Sequence, residues 1–173
     1  MDGDKKVNRA GALIHAAILG ARPDINYSAH THSRAGAAVS AMKCGLLPLS
    51  QHAGLIMPTV CIHPYQDVTT AEDECEALAK DIGENFAMIM ENHGLLACGR
   101  SIGECFYYLY YLETACKIQV DVLASGQEPL LLSEKIVDGL FTDGDVPKNE
   151  PSGADDWKPQ LRWVDRNMPG YRD

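Results

Sequence analysis

The sequence lacks the features of nucleic-acid-binding, membrane and secreted proteins. It has no basic excess: 24 acidic side chains oppose 15 basic ones, and the formal net charge of −9 argues against binding to phosphate backbones or anionic lipid. No apolar run reaches the roughly 18 to 20 residues that a membrane-spanning helix needs. Residues 1–6 have no apolar segment behind them to form a signal peptide. We therefore expect a cytoplasmic protein that binds neither nucleic acid nor membranes.

The chain also lacks a C-x-x-C pair, although it contains six cysteines. They are scattered through 173 residues, a length that can build a hydrophobic core without a disulfide framework. We predict that all are small buried thiols without catalytic or metal-binding roles, namely Cys44, Cys61, Cys75, Cys98, Cys105 and Cys116.

The hydrophobic pattern predicts alternating helices and strands. Cap residues, apolar spacing and Gly or Pro terminators predict four helices. These start at Asn8, Ser33, Thr69 and Ser101 and end near Pro23, Gly45, Gly83 and Gly126. Short apolar or alternating runs predict the strands Ile25–His32, Leu46–Leu49, Thr59–Ile62 and Phe86–Met90.

The composition changes after residue 137. Residues 138–156 are acidic and rich in Gly and Pro, which indicates a linker between a main domain (1–137) and a last segment. Residues 157–173 resume a helix-like pattern and contain both tryptophans, so we expect this segment to dock on the main domain.

Three histidines carry the strongest chemical signal. In His30-Thr31-His32 the i, i+2 spacing places both imidazoles on one side of a strand, and His93 beside Gly94 could add a third nitrogen. Three histidines around Zn²⁺ leave a coordination position open for a substrate oxygen or water. An H-x-H pair taken alone is as often surface-exposed or structural.

Several blocks of the sequence resemble the class II aldolase/adducin domain. The blocks are residues 8–15, 21–24, His30-Thr31-His32-Ser33, 37–48, Glu91-Asn92-His93-Gly94-Leu95-Leu96 and 166–173. The resemblance implies a three-layer α/β/α sandwich of the α/β class, and His30, His32 and His93 as ligands of a divalent metal ion. It implies Zn²⁺ foremost, with Mn²⁺ or Co²⁺ as alternatives. It also implies a homo-oligomer, a tetramer or dimer. Independently, the four tyrosines of the predicted helix that starts at Ser101 favour contact with a partner chain.

Two departures from this family are visible. The family's Ser-Ser-Glu block, whose Glu is the acid/base and whose serines hold phosphate, is replaced here by Arg9, Ala10 and Gly11. Arg9 could contact a substrate anion in place of the serines, or could simply be solvated. The chain also starts late relative to the family domain, so we expect the fold without its N-terminal segments.

His63 and Tyr65 are the remaining candidates for proton transfer. They lie in Val60-Cys61-Ile62-His63-Pro64-Tyr65, where the family presents residues to its active site. A histidine beside a proline in a loop is more often structural.

Two functions from different classes follow. The first is a metal-dependent aldehyde-lyase, decarboxylase or epimerase that acts on a small hydroxy-carbonyl or sugar-derived substrate. The second is a catalytically silent, adducin-like module for assembly or for contact with actin and the cytoskeleton, favoured by the absent acid/base carboxylate at Gly11.

Overall fold

The computed structural model describes residues 8–65, 71–143 and 152–172. Within these residues the helices are α1 Arg9–Ala21, α2 Arg34–Ser40, α3 Gln51–Ile56, α4 Ala71–Ile82, α5 Ile102–Ala124, α6 Glu134–Asp143 and α7 Ala154–Asn167. The strands are β1 Tyr27–Thr31, β2 Val60–His63, β3 Ala87–Met90 and β4 Gly94–Gly99. Two short 3-10 helices span Met57–Thr59 and Pro169–Arg172.

Local capping starts three of the helices where the sequence predicts them. Asn8, Ser33 and Ser101 each accept a hydrogen bond from a backbone N–H in the first turn of α1, α2 and α5. These bonds satisfy N–H groups that have no partner inside the helix. Gly126, with a φ of 69°, follows the end of α5 as predicted.

The four strands form one mixed sheet in the order β1-β4-β3-β2. β1 pairs antiparallel with β4, and β4 pairs antiparallel with β3. β2 pairs parallel with β3, and α4 is the connection that a parallel pair requires. The architecture is α/β, as predicted.

Helices cover both faces of the sheet, so the core has two parts. Residues of α2, α3 and α5 pack with Ala87, Ile89, Leu95 and Ala97 on one face. Residues of α1 and α4 pack with the alternate residues of the same strands on the other. This alternation explains why β3 and β4 are buried along their whole length.

The region around residue 50 differs from the prediction. Leu46–Leu49 is not a strand: the Leu47 N–H donates to Oε1 of Gln119 on α5 at 2.7 Å instead of to another strand. The stretch that follows forms α3, which Ser50 caps. Six residues are too short for a helical period to show in the sequence.

The C-terminal part packs on α5 through small residues. Trp157 lies against Gly103, because a Cβ added to this glycine would be 3.0 Å from the Cβ of Trp157. The ring centroids of Trp157 and Phe106 are 5.4 Å apart. The predicted linker, residues 138–156, begins inside α6 and ends inside α7. Its middle, residues 144–151, lies outside the described residues.

The tyrosines of α5 mostly pack within the chain. Tyr108 is buried and stacks on Phe86, while Tyr107 and Tyr111 contact each other. Tyr110, 52% exposed, is the tyrosine of this helix that is most available to a partner.

The six thiols are free, and their burial varies. Cys98, Cys105 and Cys116 are buried as predicted, Cys61 and Cys75 are half-buried, and Cys44 is exposed, so the prediction is wrong for that residue. In the described part of the chain, no helix combines the length and apolar character needed to cross a membrane.

Candidate functional site

The end of β1 brings two of the predicted histidines together. The Nε2 atoms of His30 and His32 lie 2.8 Å apart. Ser28, on the same face of the strand, bonds Nδ1 of His15 on α1 at 2.6 Å. The polar side of β1 therefore faces α1, and His15 is part of this polar surface although the sequence showed no partner for it.

The third histidine comes from the turn between β3 and β4 and not from a strand. Asn92 has a φ of 52°, a left-handed conformation that Asn tolerates better than most residues. Its N–H donates to the Ser40 carbonyl of α2 at 3.0 Å, which anchors the turn. The turn thus holds His93 in a defined place beside the end of β1.

Gly94 lets this turn approach β1 closely. A Cβ at Gly94 would lie within 3.0 Å of the carbonyl oxygen of Thr31, a separation that side chains do not adopt, and 3.3 Å from Cδ2 of His32. A glycine is therefore required where the His93 turn meets the two histidines of β1.

The three imidazoles converge on one point. Their ring centroids are 4.6 to 4.8 Å apart, and one nitrogen from each ring lies within 4.8 Å of the others. Three nitrogens at Zn–N distances of about 2.0 to 2.1 Å on a tetrahedral ion would be roughly 3.3 to 3.4 Å apart. The 2.8 Å between Nε2 of His30 and Nε2 of His32 is shorter than this separation, and the 4.8 Å limit for the three nitrogens is longer. The histidines therefore fit a zinc-sized ion after small rotations of the rings.

A backbone contact sets the tautomer of His30. Its Nδ1 lies 2.9 Å from the Leu95 carbonyl, which accepts a hydrogen bond only if Nδ1 carries the proton. The Nε2 atom then carries a lone pair and faces the other two rings, 2.8 Å from Nε2 of His32. This arrangement is typical of a histidine that ligates a metal through Nε2.

Burial keeps two of these imidazoles neutral. Desolvation lowers the pKa of His30, and the hydrogen bond to Leu95 opposes it only in part. Desolvation, followed by the nearby His32, also lowers the pKa of His93, and Glu74 acts in the opposite direction. Neutral rings are the form that binds a metal ion.

A histidine–aspartate pair lies next to the three-histidine cluster. His63 ends β2, its side chain is 7% exposed, and its Nδ1 donates to Oδ2 of Asp81 on α4 at 2.7 Å. The carboxylate therefore fixes the ring and leaves Nε2 as the acceptor of the neutral imidazole. This geometry can hold and move a proton at Nε2.

A small cavity joins His63 to the histidine cluster. The cavity measures about 150 Å³ and is lined by His63, Pro64, Tyr65, Glu74, Met90, Glu91 and His93. Tyr65 lies at its rim and is 67% exposed. The structure thus brings both predicted proton-transfer residues to the same cavity as His93.

Two of the other predicted positions lie at the start of α1. Arg9 is exposed and is not among the described residues that line the cavity. Gly11 is half-buried, and a Cβ there would meet only Asn8, 4.0 Å away. A Cβ therefore fits at residue 11 without a close contact.

Sequence reasoning missed two carboxylates that the fold adds. Asp81 and Glu74 both belong to α4. Asp81 bonds to His63, and Glu74 lines the same cavity as His93. No local motif links them to His63 or His93. The available signal was the parallel pair β2–β3, because its crossover helix returns over the strand end that carries His63.

The amino-acid sequence is similar to known proteins over most of its length. Residues 1–120 match the family model described as Class II Aldolase and Adducin N-terminal domain. Alpha-adducin of Rattus norvegicus is 47% identical over 124 residues, which is 71% of this chain and 17% of that protein. The chain spans 65% and 68% of the lengths of two bacterial relatives that are each 36% identical to it.

Solved structures are similar as well. An aldolase II superfamily protein from Pseudomonas syringae superposes with a TM-score of 0.87 at 37% identity, covering 96% of this chain and 67% of that one. L-fuculose 1-phosphate aldolase from Glaciozyma antarctica PI12 superposes with a TM-score of 0.78 at 25% identity, covering 96% of this chain and 64% of that one.

Proposed function

The chain belongs to the family of the class II aldolase and adducin N-terminal domain, and from this premise we propose that it binds a divalent metal ion through His30, His32 and His93. The supporting observation is the convergence of three imidazoles whose nitrogens lie within 4.8 Å of one another. Imidazole donors favour Zn²⁺. Mn²⁺ and Co²⁺ are the alternatives that the family resemblance implies. The family assignment agrees with the sequence resemblance.

We propose that the site is a carbon–carbon lyase, decarboxylase or epimerase centre for a small hydroxy-carbonyl or sugar-derived substrate. When bound, the ion supplies Lewis-acid polarisation of a substrate oxygen. His63 takes or returns the substrate proton at Nε2, and Asp81 holds its ring in the correct tautomer. Tyr65, at the rim of the same cavity, is a second proton carrier. One of the similar solved structures is named as an L-fuculose 1-phosphate aldolase, and this name supports the lyase class.

These residues would act in place of a carboxylate at residue 11. General acid–base catalysis contributes about 10²- to 10⁴-fold to a rate, so a metal site without a proton carrier would be slow. His63 is buried and oriented, whereas Arg9 is exposed. We therefore assign Arg9 at most a contact with a substrate anion.

The rival proposal is a catalytically silent, adducin-like module for assembly or cytoskeletal contact in the cytoplasm. The 47% identity to alpha-adducin and the glycine at residue 11 favour it. The converging histidines count against it, because an inert scaffold has no physical need for an open three-nitrogen site. Either function could operate in a homodimer or homotetramer, which sedimentation would show.

Elemental analysis of the purified protein distinguishes the two proposals. We expect about one ion per chain, lost in His30→Ala and in His93→Ala. His52→Ala is the matched control, because His52 packs against Tyr111 at 5.7 Å, outside the cluster, and should leave the metal content unchanged. Wild-type protein that holds no ion after supplementation with zinc, manganese and cobalt would exclude the enzyme proposal.

His63→Gln and Asp81→Asn then test the proton carrier once a substrate is found by screening aldol, decarboxylation and epimerisation reactions. We expect kcat to fall about 10²-fold or more in His63→Gln, with the metal content preserved. Asp81→Asn should alter the pH profile of kcat, because the amide no longer fixes the His63 tautomer. An unchanged kcat in both variants would assign proton transfer elsewhere.

A further inference from the structure

The cavity beside His93 is acidic, because its described lining holds two carboxylates and no lysine or arginine. Glu74 comes from α4, and Glu91 comes from the turn after β3. His63 and Tyr65 supply the other polar groups, and Met90 and Pro64 supply the apolar wall.

On the basis of the proposed metal site, we propose that this cavity binds an uncharged, hydroxyl-bearing end of the substrate and disfavours a phosphate group. The inference names a substrate class for the site: polyhydroxylated carbonyl compounds whose end at this cavity carries no phosphate.

The hydrogen-bonding capacity of the cavity supports this assignment. Ionised carboxylates can only accept hydrogen bonds. The Nδ1 of His63 donates to Asp81, so its Nε2, when it carries no proton, accepts a hydrogen bond as well. Substrate hydroxyl groups donate to such acceptors. A phosphate dianion has only acceptor oxygens, so it would leave both sides of these contacts unsatisfied.

The fixed position of the His63 side chain also supports this substrate assignment. The His63 side chain is 7% exposed and is held at 2.7 Å by Asp81, so one acceptor has a fixed position. The Glu91 N–H donates to the His63 carbonyl at 2.8 Å, which ties the turn carrying Glu91 to β2. The position of His63 is thus fixed by β2 and α4, and the backbone of the turn that carries Glu91 is tied to the sheet.

The size of the cavity limits what enters it. A cavity of about 150 Å³ is roughly tenfold larger than the space that one water molecule needs, so it admits several non-hydrogen atoms. One hydroxylated end of a small molecule fits this volume, while the rest of the substrate would extend toward the three histidines.

Dihydroxyacetone and dihydroxyacetone phosphate form a matched pair of probes, because they differ only in the phosphate. We would measure their dissociation constants by calorimetry with the zinc-loaded full chain, and the zinc content of each sample by elemental analysis. We expect dihydroxyacetone to bind about tenfold more tightly than its phosphate. The double variant Glu74→Gln/Glu91→Gln should bring the two constants within a few-fold of each other. Glu76→Gln, an exposed residue on the same helix, is the control and should keep the wild-type ratio.

The outcomes separate this inference from the metal proposal. A protein that takes up no zinc contradicts the metal site, and the substrate assignment falls with it. A zinc-loaded protein that binds the phosphate as tightly as dihydroxyacetone, or that binds neither probe, overturns the substrate assignment and leaves the metal site standing. A ratio that the double variant does not change would likewise overturn it.

Discussion

Gly94→Ala is the sharpest test of how the fold assembles the histidine cluster. The added methyl group would lie within 3.0 Å of the Thr31 carbonyl oxygen. That oxygen belongs to the backbone of β1 and cannot swing aside as a side chain would. Either the β3–β4 turn or the end of β1 must move, and the first carries His93 while the second carries His30 and His32.

The expected magnitude follows from this clash. Overpacking of a tight contact costs about 1 to 3 kcal/mol of unfolding free energy. A functional site tolerates displacements of about 0.5 Å, and loss of the groups that position metal ligands typically weakens metal affinity about 10- to 100-fold. We therefore expect Gly94→Ala to lower zinc affinity by that factor, which equals about 1.4 to 2.8 kcal/mol.

Chelator competition measures the affinity, and urea denaturation of the metal-free protein measures the stability. Gly20→Ala is the control, because Gly20 lies in α1 with nothing within 4 Å of an added Cβ. Alanine there should stabilise the protein by up to about 1 kcal/mol without changing zinc affinity. Wild-type zinc affinity in Gly94→Ala would refute the argument that close approach at this glycine places His93.

Three further predictions concern the rest of the fold. Cys44 should react with a thiol reagent in the native protein well before Cys98, because Cys44 is exposed while burial raises the pKa of Cys98 to about 12; equal rates would contradict this. The Arg22 guanidinium lowers the pKa of Asp24, so as the pH falls below about 3.8 the unfolded chain takes up the proton first and unfolding free energy decreases. Urea titrations across that range should show a smaller decrease in Asp24→Asn, and the effect is modest because Asp24 is partly exposed. Leu112→Ala should cost about 2 to 5 kcal/mol in the same assay, because Leu112 is fully buried, and a loss below 1 kcal/mol would mean that this helix face is not core.

If the metal proposal holds, the site combines ligands of very different origin. His30 and His32 depend on one short strand, whereas His93 depends on a turn whose geometry needs both Asn92 and Gly94. The proposed proton carrier, His63, depends on yet another contact, between β2 and α4. Variants that disturb the turn should therefore affect metal binding first, and variants in α4 should affect proton transfer and substrate binding first.

The sequence by itself determined the local structure and the identity of the histidine cluster. Asn8, Ser33 and Ser101 predicted helix starts because a cap acts within one turn of its own helix. The H-x-H spacing predicted two imidazoles on one side of β1 because strand side chains alternate. His93, beside Gly94, was proposed as the third nitrogen from the residues themselves, and the family blocks implied the same role for it. The three-layer α/β/α fold followed from that resemblance.

Other features depended on contacts between residues far apart in sequence. The strand β4 was not predicted because its two terminal glycines gave no local strand signal, yet β1 and β3 pair with it on both sides. Leu47 found a partner in Gln119, so its segment did not need a sheet. The pairing of His63 with Asp81 and the arrival of Glu74 beside His93 arise because α4 returns over the end of β2. Such contacts have no sequence period, so only the tertiary structure could decide which side chains complete the site.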